Sequence, residues 1–96
     1  MARGIIVFAP KAANDLESIS NWYEQQSFGL DARFIGDVES VIKKIEKTPT
    51  TFKFIKGNIR LATLKKFPYY LYFSHLNDIT VLRIRHVKQQ PLKRFT

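Results

Sequence analysis

Tyr70 and Tyr72 in one run, and Arg83 and Arg85 in the next, are the residues whose types and spacing offer most chemistry. Guanidinium groups take carboxylates or phosphates through paired hydrogen bonds, and phenol rings beside them supply stacking or apolar contact. With Lys65, Lys66 and Lys88 close by in the chain, such a face suits an acidic polypeptide or a nucleic acid. The same four side chains also have a purely structural use. Cross-strand Tyr–Arg neighbours attract one another by cation–π contact, worth about 0.5–1 kcal/mol at exposed sites. His86 follows directly, and reads either as a packed, hydrogen-bonded histidine or as a general acid/base, since an unperturbed histidine titrates at about pH 6.5.

Other chemistries find no footing. His75 and His86 fall on different predicted strands with Asp78 as the one acid in the second half of the chain, so neither a metal site, a cofactor site nor a carboxylate pair is expected. Ser74 and His75 are neighbours pointing to opposite faces of a strand, which excludes a triad with Asp78. Gly29 and Gly57 stand alone, so there is no phosphate-cradling loop. Cysteine is absent, which removes disulfides and thiolate chemistry and fits a reducing cytoplasm.

The elements that must position the tyrosines and arginines form a hairpin. Asn77-Asp78 separates two runs of alternating character. A two-residue turn there sets Tyr72 opposite Arg83 and Tyr70 opposite Arg85 on one face. On the other face it sets Leu71 opposite Ile84, Phe73 opposite Leu82 and His75 opposite Thr80. Because side chains alternate with period two, this register leaves one face apolar and the other basic and aromatic.

Charge reinforces the division. Of a net +8 over 96 residues, residues 1–48 carry −1 and residues 49–96 carry +9, the latter from ten basic side chains against Asp78. A field of that strength on one part of a small chain attracts phosphates or an acidic protein segment; a solvated basic surface is the alternative. No apolar run reaches the roughly 20 residues of a membrane span. The N-terminal apolar segment is too short for a secretory signal.

In chain order, residues 3–8 read as a short strand lying inside the sheet, because residues 5–8 are apolar on both faces. A helix then runs from Pro10 to about Gln26, with Ala13, Leu16, Ile19 and Tyr23 on its buried stripe, Asp15, Glu17 and Glu24 turned away, and Trp22 at the edge of the stripe, packed on the core or, as the alternative, touching a partner. Ala9 caps it weakly. Gly29 separates it from a second helix over 30–47, whose interior Gly36 suggests a close approach to the first helix. Thr48-Pro49 ends that helix. Residues 51–55 form an edge strand, Ile59 to Lys65 another strand, and residues 88–96 a basic tail. The expectation is a single α+β domain over 1–96: an N-terminal strand, a helical hairpin, then a three- to four-stranded antiparallel sheet with the helices on one face.

The ordered set AxxDLxxIxxWY, a second helix closing before Pro49, RxxxLKxFPYYLYF and VLRIRHVKQQP resembles the RelE/ParE superfamily of bacterial toxins, and within it the ParE-like or plasmid-stabilisation proteins. Ala13, Asp15, Leu16, Pro49, Arg60, Leu64, Phe67, Pro68, Tyr69, His86 and Pro91 carry the resemblance. It implies a cytoplasmic bacterial toxin of a type II toxin–antitoxin module, held inactive by a cognate antitoxin, with no membrane partner. ParE-like members are associated with inhibition of DNA gyrase; RelE-like members cleave mRNA on the ribosome. On the first reading the chain is not an enzyme, and Tyr70, Tyr72, Arg83, Arg85, Lys65, Lys66 and Lys88 bind a partner. On the second it is a metal-independent endoribonuclease drawing on Arg60, Arg83, Arg85 and His86. Against the second, the segment after Val87 has no tyrosine and no acid. A non-toxic, basic nucleic-acid-binding module is the remaining alternative. The chain departs from the common ParE pattern at Lys88-Gln89-Gln90, where arginines are frequent, so contacts needing guanidinium geometry are not carried over there.

Overall fold

A computed structural model describes residues 6–89. Its elements are β1 (Ile6–Phe8), α1 (Pro10–Gln26), α2 (Leu30–Lys47), a 3-10 turn over Pro49–Thr51, β2 (Lys53–Lys56), β3 (Ile59–Thr63), β4 (Tyr69–His75) and β5 (Ile79–His86). One five-stranded sheet has the order β1-β5-β4-β3-β2, with β1 parallel to β5 and the remaining pairs antiparallel. This is the expected α+β arrangement of strand, helical hairpin and sheet. The tail expected over 88–96 lies outside the described residues from position 90 onward.

β1 sits at a sheet edge, not inside. Among the described residues it spans Ile6–Phe8, pairs with Ile79, Thr80 and Val81 alone, and leaves Val7 exposed, while positions 3–5 of the expected strand lie outside those residues. The Ala9 N–H then donates to the Val81 carbonyl at 2.9 Å, and Pro10 starts α1 where its missing N–H costs nothing. Ala9 gives no side-chain cap, so this backbone bond to β5 holds the helix start.

Two expectations for α1 fail. Its stripe is Ala12, Leu16, Ile19 and Tyr23: Ala12 is fully buried, and Ala13, one position (about 100°) round the helix, is exposed. Trp22 is 54% exposed, with an edge-on contact to Tyr23. It lies one position before the stripe's last residue, and apolar type alone did not reveal the rotation. Gly29, at φ 81°, makes the turn into α2. Gly36 has open space where a Cβ would stand, so no close helix approach explains it.

The core lies between the helical pair and the sheet. Phe34, Val38, Val41 and Ile45 of α2 belong to one cluster with Ala62, Leu71, Phe73, Val81 and Ile84. At one end of the sheet an aromatic group closes it: Tyr23 to Phe67 at 5.0 Å, Phe34 to Tyr69 at 5.5 Å and Tyr69 to His86 at 5.2 Å between ring centres. Offset and edge-on contacts of this kind add to the area buried. Asp37 is the buried charge among them, and its carboxylate accepts the N–H groups of Lys65 (3.3 Å), Lys66 (2.8 Å) and Phe67 (3.0 Å). It thereby fixes the irregular crossing from β3 to β4.

Half of the expected hairpin register is present. Tyr69 pairs with His86, Tyr70 with Arg85, Leu71 with Ile84 and Tyr72 with Arg83. Beyond that the register shifts, so that Phe73 pairs with Val81, Ser74 with Thr80 and His75 with Ile79. The extra residue is Leu82, a bulge, and Leu76-Asn77-Asp78 forms a three-residue loop closed by the Leu76 N–H on the Asp78 carbonyl. A bulge keeps both the buried pair Phe73/Val81 and the buried pair Leu71/Ile84, which no straight register does.

Candidate functional site

Beyond Val81, β5 has no neighbouring strand on its β1 side among the described residues, and two side chains take that place. The Ile84 N–H donates to Asp15 Oδ2 at 3.0 Å, and the His86 N–H to Gln89 Oε1 at 2.9 Å. Asp15 also receives Arg83 Nε at 2.7 Å on Oδ2 and Nη2 at 3.2 Å on Oδ1. This fork-on-carboxylate pairing, Asp15's hydrogen bond first and its charge also, raises the Arg83 pKa against the lowering effect of burial. Asp15, expected to face away from the fold, therefore locks α1 to the edge of β5 and blocks further strand pairing there.

Along this seam runs an open groove of about 510 Å³, lined on the helix side by Ser18, Ile19 and Trp22 and on the strand side by Arg83, His86 and Gln89. Tyr69 and Tyr23 form its aromatic floor. Burial, then the Tyr23 hydroxyl, push the Tyr69 pKa well above the usual phenol range, so this phenol stays protonated. The His86 ring accepts the Lys88 N–H at Nδ1 (3.0 Å), which places the proton of the neutral ring on Nε2. One wall is an exposed indole, and the other is a neutralised ion pair with a hydrogen-bonded imidazole.

The four-residue face expected from the sequence is not assembled as such. Tyr72 keeps its place opposite Arg83 with its ring 6.5 Å from that of Tyr70, but it is only 6% exposed, and Arg83 is committed to Asp15. Tyr70 and Arg85 stay paired and half-exposed on the face away from the core. The carboxylate of Asp15, 68 residues from Arg83 in sequence, draws Arg83 onto α1. Lys65, Lys66 and Lys88 are exposed at the sheet end where Tyr69 pairs with His86, the Val87 N–H bonding to the Pro68 carbonyl between them.

Of the four residues proposed for RNA cleavage, Arg83, Arg85 and His86 lie together on β5, and Arg60 stands apart on β3. Arg60 donates from Nη1 to the Thr50 (3.2 Å) and Phe52 (2.9 Å) carbonyls and lies over the Phe54 ring, pinning the 3-10 turn and β2. It pairs with Phe73 on β3, whereas His86 pairs with Tyr69 on β5. Four residues along β4 is about 13 Å, with two strand spacings besides. Sequence reasoning missed Asp15 and Gln89 as site residues, the AxxDL match in the first helix being the one signal that touched Asp15, and gave partner contact at Trp22 only as the alternative to core packing.

A helical hairpin packed on one five-stranded sheet defines a small two-layered α+β scaffold, and comparison with known proteins narrows it. Residues 6–91 match the family described as ParE toxin of type II toxin-antitoxin system, parDE, and the chain belongs to that family. A solved chain described as from the chromosomal ParDE TA system of P. aeruginosa is 21% identical, with a TM-score of 0.71 over 88% of this chain and 96% of that one. No protein among the curated sequences matches. Among the described residues, no helix is long and apolar enough to cross a membrane.

Proposed function

We propose that this chain is the toxin of a ParDE-type module, neutralised by a cognate antitoxin and acting on DNA gyrase by binding rather than by cutting RNA. Family membership supports the toxin–antitoxin context. The observation that carries the non-catalytic part is the separation of Arg60 from Arg83 and His86. Two of their polar groups are saturated by the chain's own acceptors, and no one phosphate meets all three. Metal-free RNA cleavage needs base, acid and phosphate-stabilising groups around a single reacting centre.

The antitoxin's place in this reading is the groove between α1 and β5. Trp22 and Ile19 supply apolar anchorage there, and His86 and Gln89 add polar groups on the strand side. Trp22 is the chain's single tryptophan, so its emission reports occupancy directly. The experiment has two arms after brief induction in cells: gyrase supercoiling with purified components, and mRNA integrity by primer extension. Blocked supercoiling with intact message is expected. Codon-linked cleavage with normal supercoiling refutes the reading in favour of a ribosome-dependent endoribonuclease.

A further inference from the structure

A second, wider depression of about 760 Å³ lies where the exposed side of α2 meets the segment between β3 and β4. Its rim carries Arg33, Lys65 and Lys66, and its floor is Gly36 and Ser40. The acid in its lining, Asp37, is 5% exposed and turned inward onto the N–H groups of residues 65–67. That carboxylate anchors the backbone while the Lys65 and Lys66 side chains remain at the surface. Lys44, one turn beyond Ser40, stands against Lys65, whose ammonium lowers the Lys44 pKa. Among the described residues, none of these four cations has an anionic partner. Holding like charges together is unfavourable in the free chain, and a bound polyanion relieves it.

We propose that this depression binds the sugar–phosphate backbone of a nucleic acid. The floor distinguishes phosphates from an acidic protein segment. Gly36 and Ser40 offer no apolar seat, and the apolar side chains of the wall, Leu30 and Phe67, are partly buried and packed against the core. An amphipathic acidic helix needs apolar anchors; a phosphodiester strand needs only cations and room. Open space above Gly36 gives it that room. Backbone contacts fix position without reading bases, so binding is independent of sequence. This surface is separate from the groove between α1 and β5, and its failure leaves the toxin reading untouched.

The test is fluorescence anisotropy of a labelled DNA duplex of about 20 bp, titrated with the full chain between about 50 and 200 mM salt. Lys65→Gln with Lys66→Gln is expected to flatten the slope of log K against log salt by about 1.8, two phosphate contacts at about 0.9 each. Lys53→Gln with Lys56→Gln, on the edge strand β2, removes the same net charge and is expected to leave the slope nearly unchanged. Equal losses in the two variants overturn the proposal, since diffuse net charge then suffices. Gly36→Glu places an anion on the floor; with helicity retained by circular dichroism, duplex affinity is expected to fall at least tenfold, and unchanged affinity overturns the proposal. A poly-glutamate peptide of similar length that binds more tightly than the duplex overturns it in favour of an acidic protein partner.

Discussion

Asp37 is where one atom group does most for the fold, and removing it gives a quantitative test. Its Oδ2 accepts Lys66 and Phe67 N–H groups at 2.8 and 3.0 Å, and Oδ1 accepts Lys65 at 3.3 Å. Hydrogen bonds to a charged group contribute roughly 1.5–3 kcal/mol each, but these three share one carboxylate, and water can reach the exposed backbone of Lys65 and Lys66. Asp37→Ala is therefore expected to cost about 3 kcal/mol rather than the full sum. At a urea dependence of about 1.5 kcal/mol per molar, the midpoint falls by about 2 M, with the slope unchanged. Asp37→Asn keeps an oxygen for Lys66 and Phe67 and turns an amide donor on the Lys65 N–H, so it costs less, about 1–2 kcal/mol. Amide exchange at residues 65–67 locates the loss. A midpoint for Asp37→Ala within about 0.5 M of the parent would refute the reasoning, because the carboxylate then makes no net contribution to the crossing.

The remaining expectations are simpler. Gly36→Ala adds a Cβ into open space inside a helix and is expected to stabilise by about 1 kcal/mol, raising Tm by roughly 4–8 °C in a calorimeter. Tyr69 has a folded pKa raised above its unfolded value of about 10, so the stability it gives is complete below that pH and is lost as pH rises toward the folded value. Urea midpoints measured from pH 8 to 11 are thus expected to fall less steeply above about pH 10 in Tyr69→Phe than in the parent; parallel profiles contradict the shift. Trp22→Ala, at an exposed position, is expected to change stability by less than about 1 kcal/mol while weakening antitoxin binding at least tenfold by calorimetric titration, and an unaltered Kd removes the groove as the docking site.

The pattern of legibility follows interaction range. Helix ends at Gln26 and Lys47 were readable because Pro10, Gly29 and Pro49 act within a residue or two of themselves. The pairing of residues 69–72 with 83–86 was readable because alternation extends over the whole of that stretch. The Leu82 bulge was not, because Leu82 is as apolar as the residues on either side and alternation assumes no insertion. Ala12 and Ala13 are chemically identical, so sequence alone does not say which faces inward. Asp37 carried no local signal, and Asp15 only its place in the AxxDL match. Their partners, Arg83 and residues 65–67, lie far along the chain and meet them only after the helices pack on the sheet.

Those two carboxylates divide the surface into regions of different character. Asp15 neutralises Arg83 and satisfies the β5 edge, which leaves the groove beside Trp22 aromatic, with its nearest cation already paired. Asp37 points its charge onto backbone N–H groups, which leaves Lys65 and Lys66 unneutralised above a small, polar floor. Contact at the first region draws mainly on apolar area, which salt hardly weakens; contact at the second is Coulombic and is screened within about 10 Å at 0.1 M. The excess charge of residues 49–96 thus does not make one uniform sticky face. Where each acid of the first half spends its carboxylate decides which basic residues of the second half stay available.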